Sequence, residues 1–173
     1  MLYLASERLA TDDRNACCRC VHRVRPARIG EAAALSELCF RSKQVWGYDD
    51  DFMAFCREPL RVKPEEIAAG DVWVAAAADQ SIAGVVALAP AGEPATLDLD
   101  KLFIEPGWIR GGVGRLLLAH AIGEARRRGA TRLTIVADPN AAAFYERNGA
   151  RLIGEAPSDA IPGRFVPLYE IVW

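Results

Sequence analysis

Apolar and polar residues alternate in blocks of two periods along this chain. Val21 to Arg25 alternates every second residue and predicts a first strand, ended by Pro26. From Gly30 to Ser42 the apolar positions recur at helical spacing, with Ala34, Leu35, Leu38 and Cys39 on one face. Asp49 can cap a second short helix running to Cys56, after a loop at Trp46-Gly47-Tyr48. Val72 to Ala78 and Ile82 to Ala89 are continuous apolar runs around Asp79-Gln80, which reads as a hairpin inside a core. Thr96 to Ile104 is a further strand, stopped by Pro106-Gly107.

The strongest helix is Val113 to Arg128, with Val113, Leu116, Leu117, Ala121 and Ala125 in register and Gly129 behind it. Leu133 to Ala137 predicts a strand. Asp138-Pro139-Asn140 opens a short helix through Arg147, closed by Gly149. Ala150 to Gly154 and Phe165 to Val172 are two last strands. The succession predicts an α/β (α+β) domain over residues 21–173: a mixed sheet of six to seven strands flanked by about four helices. Residues 1–20 show no period and are expected to be a poorly ordered extension.

Composition narrows the functional classes. The chain has 173 residues, enough for one domain with a real core. Net charge is −2, so no basic face for nucleic acid is expected. Arg126-Arg127-Arg128 fits a solvated last helical turn. No apolar stretch is long enough to span a membrane, and charges at Glu7, Arg8, Asp12, Asp13 and Arg14 break any signal-peptide core. A cytoplasmic protein is expected. Its five cysteines then read as free thiols. Cys17, Cys18 and Cys20 lack metal-ligand spacing, with only His22 nearby, so no metal is expected. His22 and His120 lack convincing partners, and no Ser/His/Asp arrangement is present.

The informative segment is the strand, glycine turn and helix from Leu102 to Arg115. A helix start carries about half a positive charge and exposed N–H groups, so it suits a phosphate. A Walker A loop fails, because Gly114 is followed by Arg115 and Leu116. A dinucleotide fingerprint from Gly112 fails at Leu117. The third candidate is the pyrophosphate loop of the GNAT acetyltransferases, Gln/Arg-x-x-Gly-x-Gly/Ala. Gly112 and Gly114 match it, while Ile109 stands at its first position. A second motif follows, Asn140 through Phe144-Tyr145-Glu146-Arg147-Asn148-Gly149, which resembles the family's Asn…Phe-Tyr-Glu-Lys-x-Gly-Phe. The two occur in the family's order, with a helix and a strand between, and the order of elements from residue 21 onward matches as well. The chain therefore resembles a GNAT-superfamily N-acetyltransferase over most of its length.

That resemblance implies acetyl-CoA as cofactor and a small-molecule or peptide amine as acceptor. It implies that Leu102, Phe103 and Ile104 meet the pantetheine arm. Ile109, Arg110, Gly111, Gly112, Val113 and Gly114 would hold the pyrophosphate, with Arg115 adding charge and Asn140 and Phe144 also on the cofactor side. Many relatives are homodimers. Neutralising a lysine-like amine at pH 7 costs about 4.6 kcal/mol, so a base helps. Asp98 and Asp100 are the candidates; both also fit a solvated strand. Tyr145 matches the family's general acid, at a cost of about 2 kcal/mol for proton transfer to a thiolate. Trp46, Tyr48 and Arg164 fall in the regions where the family's acceptor binds, and equally fit packed-loop or surface roles. A non-catalytic acyl-CoA sensor on the same fold is the alternative reading.

Overall fold

The computed structural model describes residues 22–173. The expected extension over residues 1–20 and the Cys17/Cys18/Cys20 cluster lie outside the described residues. Strand β1 (Arg23–Pro26) leads through a 3-10 turn at Ile29–Glu31 into α1 (Ala32–Gln44). Helices α2 (Asp50–Cys56) and α3 (Pro64–Ala68) follow. Strands β2 (Val72–Ala76), β3 (Ile82–Pro90) and β4 (Thr96–Ile104) come next, then α4 (Val113–Arg127). The chain ends in β5 (Arg132–Val136), α5 (Ala142–Arg147), β6 (Arg151–Pro157) and β7 (Phe165–Val172).

The seven strands form one sheet in the order β1-β2-β3-β4-β5-β7-β6. Every neighbouring pair is antiparallel except β4–β5, which is parallel and brief. The mixed, mostly antiparallel sheet is as expected. The described residues hold five helices rather than four. The additional one is α3, whose Pro64 at the first turn and Glu65 and Glu66 beside it are helix-start signals on a segment too short to show a period. Helix α1 starts two residues later than its spacing implied, because Ile29–Glu31 winds as a 3-10 turn. Pro26 is paired with Trp73 rather than excluded from β1; an edge strand tolerates the missing donor.

A core lies on each face of the sheet. On one face α4 buries Leu117, Leu118, Ala121 and Ala125 against Val86, Leu88, Leu99, Leu133 and Ile135. On the other, Leu35, Leu38 and Cys39 of α1, with Cys56 and Ile67, cover Val72, Val74, Val85 and Ala87. Strand β2 is buried along its whole length, which explains its unbroken apolar run. Gly84 sets how closely α4 approaches: a Cβ there would lie 2.9 Å from Ile104 Cδ1 and 3.0 Å from Leu117 Cδ1. Each fully buried leucine contributes about 1.5–3 kcal/mol.

Candidate functional site

Strands β4 and β5 run together only from Thr96–Arg132 to Asp98–Thr134. Beyond that pair they part. On its other side β4 stays paired with β3 out to Ile104–Gly84. The Glu105 N–H donates to Ala83 on β3, so by the two-residue repeat of a strand Leu102 and Ile104 turn their backbone groups toward the gap. There the Ile104 N–H finds Ser42 Oγ of α1 at 3.1 Å. The Leu102 amide has no such partner among the described residues. An open strand edge inside a folded protein is a ready template for an extended, amide-bearing ligand.

The gap leads to the start of α4. Arg110 and Gly112 both hold positive φ, +66° and +86°, and Gly112 is the N-cap. No side chain caps this helix, and its first turn carries no acidic residue. The Ile109 and Gly111 N–H groups bond within the turn, to Pro106 O and Trp108 O. Leu116 N–H is the first to bond back along the helix, to Gly112 O, which leaves the N–H groups from Gly112 to Arg115 without an intrahelical partner. Gly114 is needed for space: a Cβ would stand 3.2 Å from the Phe144 ring of α5. The turn thus has the donors and positive end that a pyrophosphate requires, with Arg115 the third residue of the helix. Ile109 is 38% exposed and adds no polar group.

A cavity of about 130 Å³ opens on the α1–α2 side of the gap. Its walls include Asp100 and Phe103 of β4, Val136 and Asp138 at the end of β5, Lys43 and Phe52, and Arg164 from the β6–β7 loop. Asp100 reaches it through a β-bulge. Leu88 pairs with Leu99 and Ala87 with Lys101, so Asp100 is the extra residue between them. Lys101, only 4% exposed, pairs with the Asp100 carboxylate and lies 3.6 Å from Glu66. Asp98 is held by the Thr134 hydroxyl at the last β4–β5 pair and does not line the cavity.

Asp138 organises one wall. Its carboxylate accepts from Lys43 Nζ at 2.8 Å, from the Tyr48 hydroxyl at 3.0 Å and from the Asn140 N–H at 2.9 Å. Burial pushes its pKa up, but the Lys43, Asn140 and Tyr48 donors outweigh that and hold it below the ordinary carboxylate value. With its proton spent on Asp138, the Tyr48 oxygen accepts from Asn140 Nδ2 at 3.2 Å and Arg164 Nη2 at 3.3 Å. Tyr48 stacks on Phe52, centroids 4.1 Å apart, and the Arg164 guanidinium lies 4.9 Å from the Phe52 ring centre. Tyr48 and Arg164, read from sequence as acceptor-side candidates, are thus brought together. Asn140, read as a cofactor residue, sits in the same group. Trp46 is 44% exposed and does not line the cavity.

Tyr145 lies on α5 in the α4-side core, 7% exposed, with its ring against Phe144 and Tyr169. Its hydroxyl has no hydrogen-bond partner among the described residues. Burial first, and the Asp138 charge second, push its pKa well above the usual phenol value. Among the described residues the two thiols are poor nucleophiles: burial raises Cys39 to about 12 and also raises Cys56, which lines the cavity. Among the described residues no group of His, Cys, Asp and Glu could hold a metal. No helix among them is long and apolar enough to cross a membrane. His22 sets its ring edge-on to Trp108, and His120 to Trp73.

Asp138, Lys43 and Phe52 were not legible as site residues from sequence. Asp138 reads there only as a helix-opening residue, a role it does fill by accepting from Asn140 N–H.

Comparison with known proteins agrees with this geometry. No curated protein matches the chain. Among solved structures, the PaiA N-acetyltransferase of Thermoplasma acidophilum in complex with coenzyme A aligns with a TM-score of 0.72 at 17% identity, over 88% of this chain and 99% of that one. A GCN5-related N-acetyltransferase of Rhodopseudomonas palustris aligns at 0.71 and 20% identity, over 88% and 96%. A GNAT-family acetyltransferase of Staphylococcus aureus Mu50 aligns at 0.65 and 18% identity, over 87% and 98%. These likenesses establish the fold. The model of the acetyltransferase (GNAT) family matches residues 35–150, more than half of the chain and inclusive of the strand gap, the glycine turn and Tyr145. The chain belongs to the GNAT family of acetyltransferases.

Proposed function

We propose that this enzyme transfers an acetyl group from acetyl-CoA to a primary amine of a small molecule or peptide, with both bound at once. The observation that carries the reading is the open edge of β4 at Leu102 beside an uncapped helix start at Gly112. One end of this channel suits amides and the other suits a pyrophosphate, which is the layout of acyl-CoA. Acetyl-CoA supplies the activated thioester when bound.

The chain's own residues then divide the remaining work. Leu102 and Ile104 present backbone groups that orient an extended ligand along the gap. Gly112, Val113 and Gly114 present N–H groups to phosphate oxygens, and Arg115 adds charge. Asp100 stands in the cavity as a carboxylate able to take a proton from the acceptor ammonium, directly or through water. Tyr145 keeps its proton at neutral pH, because burial disfavours the phenolate. It therefore acts as a hydrogen-bond donor to a developing thiolate, with full proton transfer the more costly course. Among the described residues Cys39 lies in the core and burial raises the Cys56 thiol at the cavity wall, so neither competes readily with direct attack by the amine.

The test is coenzyme A release from acetyl-CoA across amino acids, polyamines, aminoglycosides and peptide N-termini, read by chromatography because the cysteines would react with a thiol dye. Release that depends on one amine class supports the reading. Tight acetyl-CoA binding with no amine-dependent release would transfer support to a non-catalytic acyl-CoA sensor.

A further inference from the structure

The charges lining the cavity do not cancel. Its cations are Lys43 and Arg164, and its anions are Asp100, Asp138 and Asp159. Lys43 is matched with Asp138 at 2.8 Å. Asp100 is matched with Lys101 beneath it. Asp159 sits exposed at the rim. Arg164 differs: among the described residues, no carboxylate lies within ion-pair distance of its guanidinium.

Arg164 is nevertheless held firmly. Its Cζ lies 4.9 Å from the Phe52 ring centre and 5.5 Å from that of Tyr48. Among the described residues the guanidinium makes one hydrogen bond, from Nη2 to the Tyr48 oxygen, which is itself fixed by donating to Asp138. A guanidinium offers five N–H donors, and the remaining ones have no acceptor among the described residues. A preorganised guanidinium with unspent donors matches the two oxygens of a carboxylate. The cavity is also small, about 130 Å³. Sites for drug-sized ligands run from roughly 300 Å³ upward, so this one suits a compact acceptor.

We infer that the acceptor carries a carboxylate beside its amine, with the amine at the Asp100 wall and the carboxylate on Arg164: a free amino acid or a close analogue. This rests on the N-acetyltransferase reading above and narrows its substrate class. The amine must reach the gap between β4 and β5, and Asp100 stands on that side. Arg164 comes from the β6–β7 loop on the opposite strands, so the two charges lie at separate walls of one cavity. Such a site disfavours the uncharged analogue, because the half-buried Arg164 guanidinium then makes no charge-assisted contact with it.

The experiment measures kcat/KM for acetyl transfer to α-, β- and γ-amino acids and to the matching carboxamides, with rates referred to the neutral amine. The expected result is a preference for the acid of at least about 30-fold in the substrates that react, set by a charge-assisted bidentate contact. Arg164→Gln should reduce that ratio to below about threefold, and Arg164→Lys should retain part of it. A parallel titration of the N-acetylated acids and amides onto the protein without cofactor should show the same preference in affinity. Carboxamides acetylated as fast as acids would overturn the inference while leaving acetyl transfer intact. A preference that survives Arg164→Gln would overturn the role of Arg164. No coenzyme A release with either series, while a polyamine, aminoglycoside or peptide releases it, would overturn this inference and leave acetyl transfer intact; no release with any amine class would overturn both.

Discussion

The Tyr48 hydroxyl lies 3.0 Å from the Asp138 carboxylate, across 90 positions of sequence. This contact ties the α1–α2 loop to the end of β5 and fixes which way the tyrosine proton points. Tyr48→Phe keeps the stack on Phe52 but removes the acceptor for Arg164, while Asn140 Nδ2 keeps Asp138 at 3.1 Å. Under the proposed function, the acceptor KM should rise about tenfold and kcat should change less than about threefold, as for loss of a positioning group. Stability should fall by about 1 kcal/mol, since Asp138 retains Lys43 and the Asn140 N–H. Steady-state kinetics and urea unfolding on the same preparation check both. A fall in kcat with KM unchanged would contradict the positioning role.

The pH dependence of stability follows from the same carboxylate. The Asp138 pKa is lowered in the folded protein, so the unfolded chain binds more protons across the interval between the two values. Its contribution is therefore full above about pH 4 and is lost as pH falls through the lowered folded value. Glu31 is shifted the same way by its hydrogen bond to Arg25, so wild type alone does not isolate the effect. The difference in unfolding free energy between wild type and Asp138→Asn should be largest near neutrality and shrink on acidification below about pH 4. A difference that stays constant down to pH 3 would refute the assignment.

Tyr145 separates catalysis from packing. Its hydroxyl has no protein hydrogen-bond partner among the described residues, so Tyr145→Phe breaks no such bond and keeps the ring contacts to Phe144 and Tyr169. The variant should be about as stable as wild type. Under the proposed function its turnover should drop at least about tenfold, with acetyl-CoA affinity nearly kept. Calorimetric titration and turnover together test this. Unchanged turnover would remove Tyr145 from the mechanism.

The glycine turn can be tested by charge rather than by bulk. Gly112 holds φ +86°, and Asn and Asp tolerate that region better than other side chains. Gly112→Asn and Gly112→Asp therefore strain the backbone alike but differ by one negative charge at the helix start. Gly112→Asp should raise the acetyl-CoA dissociation constant at least about tenfold beyond Gly112→Asn, and added salt should narrow the gap. Equal affinities would show that no phosphate sits at this turn.

How far the sequence carried these assignments depends on the range of the forces involved. The helix from Val113 and the strand from Thr96 to Ile104 were legible because each has a local period and a local stop signal. The glycine turn was legible as a helix entry because Gly112 takes a left-handed φ and Gly114 leaves room for Phe144. Asp138 was hidden, since its partners Lys43 and Tyr48 come from the other end of the chain. Strand alternation set Asp98 and Asp100 on one side together. A bulge that no local pattern announces gives them different neighbours. Arg164 and Tyr48 were recognisable as loop residues near the acceptor region, but their meeting was not.

The bulge makes the two strand carboxylates distinguishable by experiment. At Asp100 the extra residue in β4 turns a carboxylate into the cavity, where Lys101 fixes one of its oxygens from below. Asp98 instead closes the last β4–β5 pair by accepting from Thr134. If the acceptor ammonium loses its proton to Asp100, Asp100→Asn should lower kcat/KM by about a hundredfold at neutral pH, whereas Asp98→Asn should stay within about threefold. The residual rate of Asp100→Asn should recover as pH approaches the amine's own ionisation near 10, because bulk solvent then supplies the neutral amine. Asp98→Asn should follow the wild-type profile throughout. A larger loss in Asp98→Asn would exchange the two roles, and a flat response in both would mean that the amine arrives already neutral.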